Sequence, residues 1–457
     1  MEKEDLKIIE EVCPSISKVS VKDLHSSHYW EARGTKVVAL STQSRGTYPV
    51  LDHSRGDGVW LWDLEGNKYL DITSGVAVRA LGAKNPELVE FDMKVTERVI
   101  DELPGQDFDA IPQTLLAEKL ASITPGNYDK NVFFTTSGGR AVECALKSAM
   151  DRTGRFKFAA FRPSFHGRTG YALALTCSKH VHKDGYPQGL EVIRSPYSYC
   201  YRCPYHLEEK SCNAFCVERL RYALETEGAD IAGIVMEPIA GEGGLIVASP
   251  QFVKGLRKVA DDYGAMLIDD EVQAGLGRTG KWWAIDHFKV TPDYIATAKS
   301  LGGGYPLGAT IGKSPMFRRG SRHSETFSAE PRLALMSMKV LSMIERDELM
   351  RNAERRGEEM LKQLREFVEK YECCGEARGL GLMMGLEIIK DKKSKDPSPE
   401  LRDEIVKKCV KSHGLWVLGS GNNSIRVLPP LNITTKEAAL AMEKLEAGIK
   451  DVIQKQR

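Results

Sequence analysis

The pattern of apolar and polar positions changes along this chain. Residues 56–73 (GDGVWLWDLEGNKYLDIT) place aromatic and β-branched residues on both sides of a Glu-Gly pair, which predicts two strands joined by a turn. Residues 1–12 (MEKEDLKIIEEV) mix charged and apolar positions as an amphipathic helix does. The early part of the chain is therefore expected to contain a helix and a pair of strands.

From about residue 114 onward, short apolar runs alternate with longer helical stretches. The runs are NVFF (131–134), FKFAAF (156–161), ADIAGIVMEPI (229–239), GAMLIDDEV (264–272) and PDYIATAK (292–299). Near-continuous apolar strands separated by helices predict a mostly parallel sheet that is covered on both faces. We expect a large α/β domain over residues 77–332.

After residue 332 the pattern indicates long helices, a strand-like run GLGLMMGLEII (379–389) and a final helix from about Thr435. We expect a smaller α+β domain built from both chain ends, residues 1–76 and 333–457. The predicted fold class is therefore α/β, with a mostly parallel central sheet in the large domain.

Composition limits the classes of function. The chain has 457 residues, of which 42% are hydrophobic and 28% charged, and its formal net charge is +1. A nearly neutral chain has no electrostatic attraction for nucleic acid or for an anionic membrane surface. No run approaches the roughly 18 apolar residues of a membrane span, and the first residues lack the apolar core of a signal peptide. We therefore expect no nucleic-acid partner, no membrane association and a cytoplasmic location.

Polar residues follow several predicted strands, at the sheet edge where α/β proteins bind ligands. Ser137, Gly138 and Gly139 come after NVFF and open a helix. Their backbone N–H groups and the helix dipole favour an anion such as phosphate. A plain turn is the alternative for this segment.

Acidic residues follow the strand AMLI, and a lysine follows DYIAT. Asp269 and Asp270 would be costly to bury without a cationic partner, such as a protonated pyridine nitrogen, a metal ion or an arginine. Lys299 precedes the triple-glycine turn 302–304, where it is either a surface lysine or an amine whose pKa is lowered for imine formation. An aldimine cofactor with a phosphate and a pyridinium nitrogen requires a phosphate-binding turn, an acid and a lysine, and the sequence contains all three at predicted strand ends.

Several segments resemble the class III (omega) aminotransferases, which include 4-aminobutyrate, ornithine and acetylornithine aminotransferases and share their fold with some amino-acid racemases. The segments are SFHGRTG (164–170), MEPIAGEGG (236–244), IDDEVQAGLGRTG (268–280), ATAKSLGGGYPLGA (296–309) and the early strand pair. The resemblance covers about residues 45–450. It implies the type I fold of pyridoxal-phosphate-dependent transferases.

The resemblance implies that pyridoxal 5′-phosphate is the cofactor. Lys299 would hold it as a Schiff base and shuttle the substrate proton, and Asp270 would keep the pyridine nitrogen protonated. The other implied cofactor-binding residues are Ser137, Gly138 and Gly139 at the phosphate, Phe165 at the ring face with His166 beside it, and Gln273 at the ring oxygen. Thr326 resembles the threonine that reaches the phosphate from a partner subunit, which implies at least a homodimer.

Substrate recognition is implied for three charged residues. Arg426 matches the carboxylate-binding arginine of the family, and Glu242 matches the acid that pairs with it. With the Arg426–Glu242 pair closed, the site would accept an omega-amine. With the pair open, it would bind an α-carboxylate. Arg168 matches a second arginine that faces the substrate. A guanidinium suits bidentate binding of a carboxylate, although without the family an ordinary ion pair is the simpler interpretation of each arginine.

Some positions depart from the family pattern. In the phosphate turn, Gly139 replaces a Ser or Thr and Arg140 replaces an acid, so one hydroxyl donor is missing. We hypothesise that Arg140 compensates by adding positive charge near the phosphate. The usual glutamine of the segment 236–244 is Ala240. Because Lys299 and Asp270 are intact, we expect these departures to affect the choice of substrate and not the binding of the cofactor.

Four of the ten cysteines lie close together in the segment 197–220. Their spacing, Cys200-x2-Cys203-x8-Cys212-x3-Cys216, suits a structural zinc ion held by four thiolates. Two disulfides, which inside cells are typical only of hyperthermophiles, and free thiols are the alternatives.

The predicted activity is transfer of an amino group from an amino acid or omega-amine, such as ornithine or 4-aminobutyrate, to a 2-oxo acid such as 2-oxoglutarate. The alternative is racemisation or epimerisation of an amino acid. That reaction needs a second acid or base besides Lys299, for which Glu242 is the candidate. A non-catalytic scaffold would leave the combination of Lys299, Asp270 and a phosphate turn without a purpose.

Overall fold

A computed structural model of the chain describes residues 3–41, 46–99, 107–228, 230–328 and 330–455. Within these ranges, no helix combines the length and the apolar character needed to cross a membrane. The first elements are α1 (Lys3–Val12), α2 (Val21–Leu24), α3 (Ser27–Val37), β1 (Leu51–Asp57), β2 (Trp60–Asp63), β3 (Lys68–Asp71) and the left-handed turn α4 (Ser74–Ala77). As predicted, the N-terminal residues form a helix, and β2 and β3 pair as antiparallel strands around the Glu-Gly turn.

The middle of the chain alternates strands and helices, as its apolar runs predict. Its first half contains α5 (Pro86–Arg98), α6 (Ile111–Ile123), β4 (Lys130–Thr135), α7 (Gly138–Thr153), β5 (Lys157–Arg162), α8 (Gly170–Leu175), β6 (Val192–Pro196) and α9 (Phe215–Glu227). Its second half contains β7 (Ile231–Met236), β8 (Ile239–Ala240), β9 (Ile246–Val247), α10 (Pro250–Asp262), β10 (Met266–Asp270), β11 (Tyr294–Thr297) and β12 (Gly308–Lys313).

The central sheet has the strand order β4–β12–β11–β10–β7–β5–β6. The neighbours from β11 to β6 run parallel, whereas β12 is antiparallel to both β11 and β4. Alternate residues of β7 join two apolar clusters, one with α9 and α10 and the other with α7 and α8. Helices therefore cover both faces, which is why β7 is buried at every position. The predicted mostly parallel sheet is confirmed.

The C-terminal part adds a second sheet and long helices. Its elements are α11 (Pro331–Arg346), α12 (Leu349–Lys370), β13 (Cys374–Leu380), β14 (Met383–Ile388), α13 (Pro399–His413), β15 (Leu415–Trp416), β16 (Leu418–Ser420), β17 (Ser424–Val427) and α14 (Thr435–Lys455). The sheet order is β13–β14–β17–β16. β15 pairs with β3, so both chain ends contribute to one small sheet. The domain boundaries at residues 76/77 and 332/333 stay a prediction.

One predicted element is wrong. Residues 379–389, expected as a single strand, contain the turn between β13 and β14. The chain reverses at Gly381, whose φ is 51°. A Cβ at this position would lie 2.5 Å from the carbonyl carbon of Thr279, so only glycine fits the turn. Because the residues on both sides of the turn are apolar, the hydrophobic pattern does not indicate the chain reversal.

Candidate active site

A cavity of about 1110 Å³ lies where strands of the central sheet end. Thr136 and Ser137 follow β4, Glu237 follows β7, Asp270 ends β10 and Lys299 closely follows β11, and all of them line the cavity. The other predicted cofactor and substrate residues that line it are Gly138, Gly139, Phe165, His166, Arg168, Glu242, Gln273 and Arg426. The structure therefore brings the phosphate turn, the acid and the lysine together at one sheet edge, as the order of the strands requires.

Lys299 occupies an unusual backbone conformation on the cavity wall. Its φ is 47°, a value that residues other than glycine rarely adopt. The hydroxyl of Ser300 donates to the carbonyl of Ala77 at 2.9 Å and holds the turn in place. Burial, together with Arg426, lowers the pKa of Lys299 to about 8, although Asp270 acts in the opposite direction. The lysine is thus much closer to its neutral, nucleophilic form than a surface lysine is.

Asp270 is buried and accepts two hydrogen bonds. His166 Nδ1 lies 2.7 Å from Asp270 Oδ2, and the N–H of Val272 donates to Oδ1 at 3.1 Å. Although burial lowers the pKa of His166, the hydrogen bond to Asp270 raises it above its ordinary value. The contact orients the carboxylate, so His166 acts on the site through Asp270.

Glu237 is a site residue that the sequence motifs did not single out. Its two carboxylate oxygens accept from the N–H groups of Phe165 and Gly241, each at 2.8 Å. Burial raises its pKa to about 7, with His166 opposing this effect and Asp270 adding to it. Glu237 directly follows a strand that is buried at every position, and Lys299 lies two residues after another such strand. This position at a strand end was the sequence signal that could have identified Glu237 as a site residue.

The phosphate turn opens helix α7 toward the cavity. Ser137 caps the helix, because its hydroxyl accepts from the N–H of Arg140 at 3.4 Å. A Cβ at Gly138 would lie 2.5 Å from Val272 Cγ1, so the close approach requires glycine. Arg140 itself is exposed and does not line the cavity. The hypothesis that its charge compensates for the missing hydroxyl stays a prediction.

Gln273 lines the cavity and carries a buried polar atom without a hydrogen-bond partner among the residues described. This atom is its Oε1. Gly241 makes room for it, since a Cβ there would lie 2.0 Å from this oxygen. A buried polar atom without a partner is costly unless a ligand bonds to it.

Phe165 and Arg168 form one wall together with His182, which no sequence motif marked. The guanidinium carbon of Arg168 lies 5.7 Å from the ring centroid of Phe165, and its Nη2 lies 3.3 Å from His182 Nε2. Ser178 Oγ lies 3.2 Å from the other ring nitrogen of His182. Burial and Arg168 lower the pKa of His182, so a neutral ring can accept a hydrogen bond from the guanidinium.

The predicted pair of Arg426 and Glu242 is present, and Lys179 completes it. Arg426 Nη2 donates to Glu242 Oε2, and Lys179 Nζ lies 3.0 Å from Oε1. Although burial raises the pKa of Glu242, Arg426 and Lys179 lower it to about 2, so the side chain is a carboxylate. The loop from 176 to 191 that carries Lys179 contains no recognisable motif, and only the folded chain reveals this residue.

The structure does not bring Thr326 into this cavity. Its side chain is exposed, in a turn next to Glu325, whose carboxylate accepts from the N–H of Thr136 at 3.0 Å. The contact expected between Thr326 and the phosphate of a partner subunit stays a prediction.

The cysteine cluster lies apart from this cavity. Cys200, Cys203, Cys212 and Cys216 are free thiols that line a separate cavity of about 360 Å³. In the described ranges, no group of three or more His, Cys, Asp or Glu side chains is arranged to hold a metal ion. The structure therefore does not show the zinc site that the spacing suggested, nor the two disulfides.

A family model described as aminotransferase class-III matches residues 42–449, which include every residue of the cavity discussed above. The chain belongs to the class-III aminotransferase family. Members of this family depend on pyridoxal phosphate. The sequence resemblance and the expected type I fold are thus confirmed.

This class-III aminotransferase is 34% identical over 413 residues to a leucine/methionine racemase from Thermococcus litoralis, which covers 90% of this chain and 93% of that protein. It is 31% identical over 404 residues to a probable 4-aminobutyrate aminotransferase from Bacillus subtilis, covering 87% and 92% of the two chains. A thermostable (S)-enantioselective omega-transaminase from Thermomicrobium roseum has a similar structure, with a TM-score of 0.86 and 29% identity over 93% of this chain and 99% of that one.

Proposed function

We propose that this enzyme transfers an amino group from an amino acid or omega-amine to a 2-oxo acid such as 2-oxoglutarate, with pyridoxal 5′-phosphate bound in the cavity. The observation that carries this proposal is the meeting of Lys299, Asp270 and the N-terminus of α7 in one cavity. An amine, an acid and an anion-binding helix end suit the aldehyde, the pyridine nitrogen and the phosphate of the cofactor.

The residues present fit this cofactor in two further respects. His166 Nε2 and Gln273 Oε1 are buried polar atoms on cavity-lining side chains, and neither has a hydrogen-bond partner among the residues described. Bound polar groups would remove the cost of leaving them unpaired. The volume of about 1110 Å³ leaves room for a substrate beside the cofactor.

When bound, the cofactor would supply an electron sink for the substrate carbon that carries the amino group. Lys299 would hold the cofactor and accept the proton that leaves this carbon, which its lowered pKa permits near neutral pH. Asp270, oriented by His166, would bind the protonated pyridine nitrogen. The residues that would hold the rest of the group are Ser137, Gly138 and Gly139 at the phosphate, Phe165 at the ring face and Gln273 at the ring oxygen.

The charged residues that line the cavity would bind the substrate. Arg426 would bind a substrate carboxylate when Glu242 releases it, and Arg168, stacked on Phe165, would bind a second one. With the Arg426–Glu242 pair closed, the cavity would suit the uncharged end of an omega-amine. The same pocket could thereby accept the two substrates of a transamination in turn.

We further propose that the active enzyme is a homodimer in which Thr326 completes the phosphate site of the partner subunit. The exposure of Thr326 and its absence from the cavity lining of its own chain support this arrangement. A Thr326→Ala variant should keep its dimer mass in light scattering and bind the cofactor more weakly. Unchanged cofactor affinity would contradict the role of Thr326.

A single set of assays tests the activity. Enzyme loaded with the cofactor is incubated with individual L-amino acids and omega-amines, with and without 2-oxoglutarate. Glutamate is then quantified, and the enantiomers are separated by chiral chromatography. We expect glutamate only when both the amino donor and 2-oxoglutarate are present. The Lys299→Ala variant should form neither glutamate nor a D-amino acid. Formation of D-amino acid without any oxo acid would overturn the proposal in favour of racemisation.

Racemisation is the second candidate, and the similarity to a leucine/methionine racemase supports it. It requires a proton donor on the substrate face opposite Lys299. Glu242, the candidate from the sequence, is a poor donor in the unliganded cavity, since Arg426 and Lys179 keep it ionised with a pKa of about 2. If it nevertheless had this role, Glu242→Gln should abolish racemisation while cofactor binding persists.

A further inference from the structure

Glu242 has two cationic partners, one on each carboxylate oxygen. Arg426 Nη2 donates to Oε2, and Lys179 Nζ lies 3.0 Å from Oε1. Both the Arg426 and Glu242 side chains are largely buried, at 5% and 19% exposure, whereas Lys179 is 41% exposed at the rim. The Arg–Glu pair expected from the sequence is therefore a triad of two cations and one anion.

The guanidinium of Arg426 forms hydrogen bonds to the protein through only some of its nitrogens. Its Nε donates to the carbonyl of Gly419 at 3.0 Å, and its Nη2 bonds to Glu242. Its Nη1 is buried and has no hydrogen-bond partner within the described ranges. A carboxylate bound through both terminal nitrogens would satisfy Nη1, but Glu242 would first have to leave Nη2.

Releasing Arg426 has a cost that Lys179 can reduce. A largely buried carboxylate without a cation is strongly disfavoured. Because Lys179 already contacts the other oxygen of Glu242, the carboxylate can leave Arg426 without losing its last counter-ion. In a chain without this lysine, Glu242 would hold Arg426 more firmly against an incoming carboxylate.

We propose that Lys179 is a positioning residue that sets how readily the cavity accepts a substrate carboxylate, by holding Glu242 when Arg426 opens. The inference rests on the proposed function, because it concerns the choice between an α-carboxylate and an omega-amine at the same site. Lys179 lines the cavity, and in this proposal it acts through Glu242, which its amino group contacts.

The test compares Lys179→Met with Lys183→Met in the cofactor-loaded enzyme. Lys183 lies on the same loop, but its amino group contacts Cys177 Sγ at 3.3 Å and not Glu242. Calorimetric titration with pentanoate measures carboxylate binding without any turnover. We expect the Lys179→Met dissociation constant to rise about fivefold, the effect of one partly exposed ion pair, and that of Lys183→Met to stay unchanged. Equal affinity of Lys179→Met and the unmodified enzyme would overturn the inference.

A double-mutant comparison separates action through Glu242 from direct contact with the ligand. In a Glu242→Gln background, Lys179→Met should have no further effect on pentanoate affinity, since the carboxylate it holds is gone. An undiminished effect in that background would show that Lys179 binds the ligand itself and would refute the inference.

Kinetics with matched substrates provide a second readout. With norvaline as amino donor, Lys179→Met should raise KM and leave kcat unchanged, whereas butylamine, the same chain without the carboxylate, should react as before. If the unmodified enzyme shows neither the absorbance of bound cofactor nor reaction with any amine, the proposed function itself is refuted. An equal change of KM for norvaline and butylamine would refute the role of Lys179.

Discussion

Replacing Arg426 by leucine should raise the pH at which the Lys299 amine becomes reactive. Lys299 owes its lowered pKa first to burial and next to the positive charge of Arg426, while Asp270, Glu242 and Glu237 act in the opposite direction. Leucine removes the cation. The substitution also removes one of the two cationic partners of Glu242 and leaves only Lys179. The negative potential that Glu242 exerts at Lys299 therefore increases. Both changes favour the ammonium form.

The magnitude follows from the same contributions. The difference between the ordinary pKa of 10.5 and about 8 corresponds to about 3 kcal/mol in favour of the neutral amine. Burial ranks first among the causes and is retained in the variant, so most of that free energy should persist. We expect the pKa to rise by about 0.5 to 1, equivalent to about 1 kcal/mol.

The assay is the rate at which cofactor-free enzyme combines with pyridoxal 5′-phosphate, followed by stopped-flow absorbance between about pH 6.5 and 10.5. The rate should increase with pH as the amine loses its proton, with a midpoint of about 8 for the unmodified enzyme. Arg168→Leu is the matched control, because Arg168 lines the same cavity but is not among the main groups that shift the pKa of Lys299. A midpoint near 10.5 in the unmodified enzyme, or a downward change in Arg426→Leu, would refute the reasoning.

Three further outcomes can be checked. Asp270→Asn should weaken cofactor binding at least about tenfold, because a hydrogen bond to a charged group is worth about 1.5–3 kcal/mol; equilibrium dialysis measures this, and equal affinity would contradict the role of Asp270. Burial raises the pKa of Glu271 from 4.5 to about 8, so the folded state binds more protons in this window and stability falls as pH rises through it. Glu271→Gln, which keeps an acceptor for the N–H of Ile285 at 2.8 Å, should therefore gain about 3 kcal/mol over the unmodified enzyme at pH 8 relative to pH 5 in urea unfolding; a constant difference would contradict this. Gly357→Ala should destabilise the protein by about 2 kcal/mol or more, since its Cβ would lie 2.2 Å from the carbonyl oxygen of Gly381. The matched change Gly34→Ala in α3, with no atom within 4 Å, should be neutral or stabilising in thermal unfolding, and similar melting temperatures for both variants would contradict the packing argument.

The sequence by itself predicted the fold and the centre of the site. Apolar runs of strand length separated by helices require a covered parallel sheet, and such a sheet brings the residues that follow its strands to one edge. Lys299, Asp270 and the turn at Ser137 were placed together on that ground, and the family motifs added Gln273 and the Arg426–Glu242 pair. The structure places these residues in one cavity, because each follows a strand end or belongs to a local motif, whereas their catalytic and binding roles stay predictions.

Only the tertiary structure decided the features that depend on contacts between distant segments. The chain reverses at Gly381, where close packing against Thr279 leaves room only for glycine. Lys179 comes from a loop without periodicity and meets Glu242 across 63 positions of sequence. No local preference encodes such a meeting, because long-range contacts arise from the packing of whole elements. Charge pairing around Glu242, which bears on substrate choice, was therefore visible only in the folded chain.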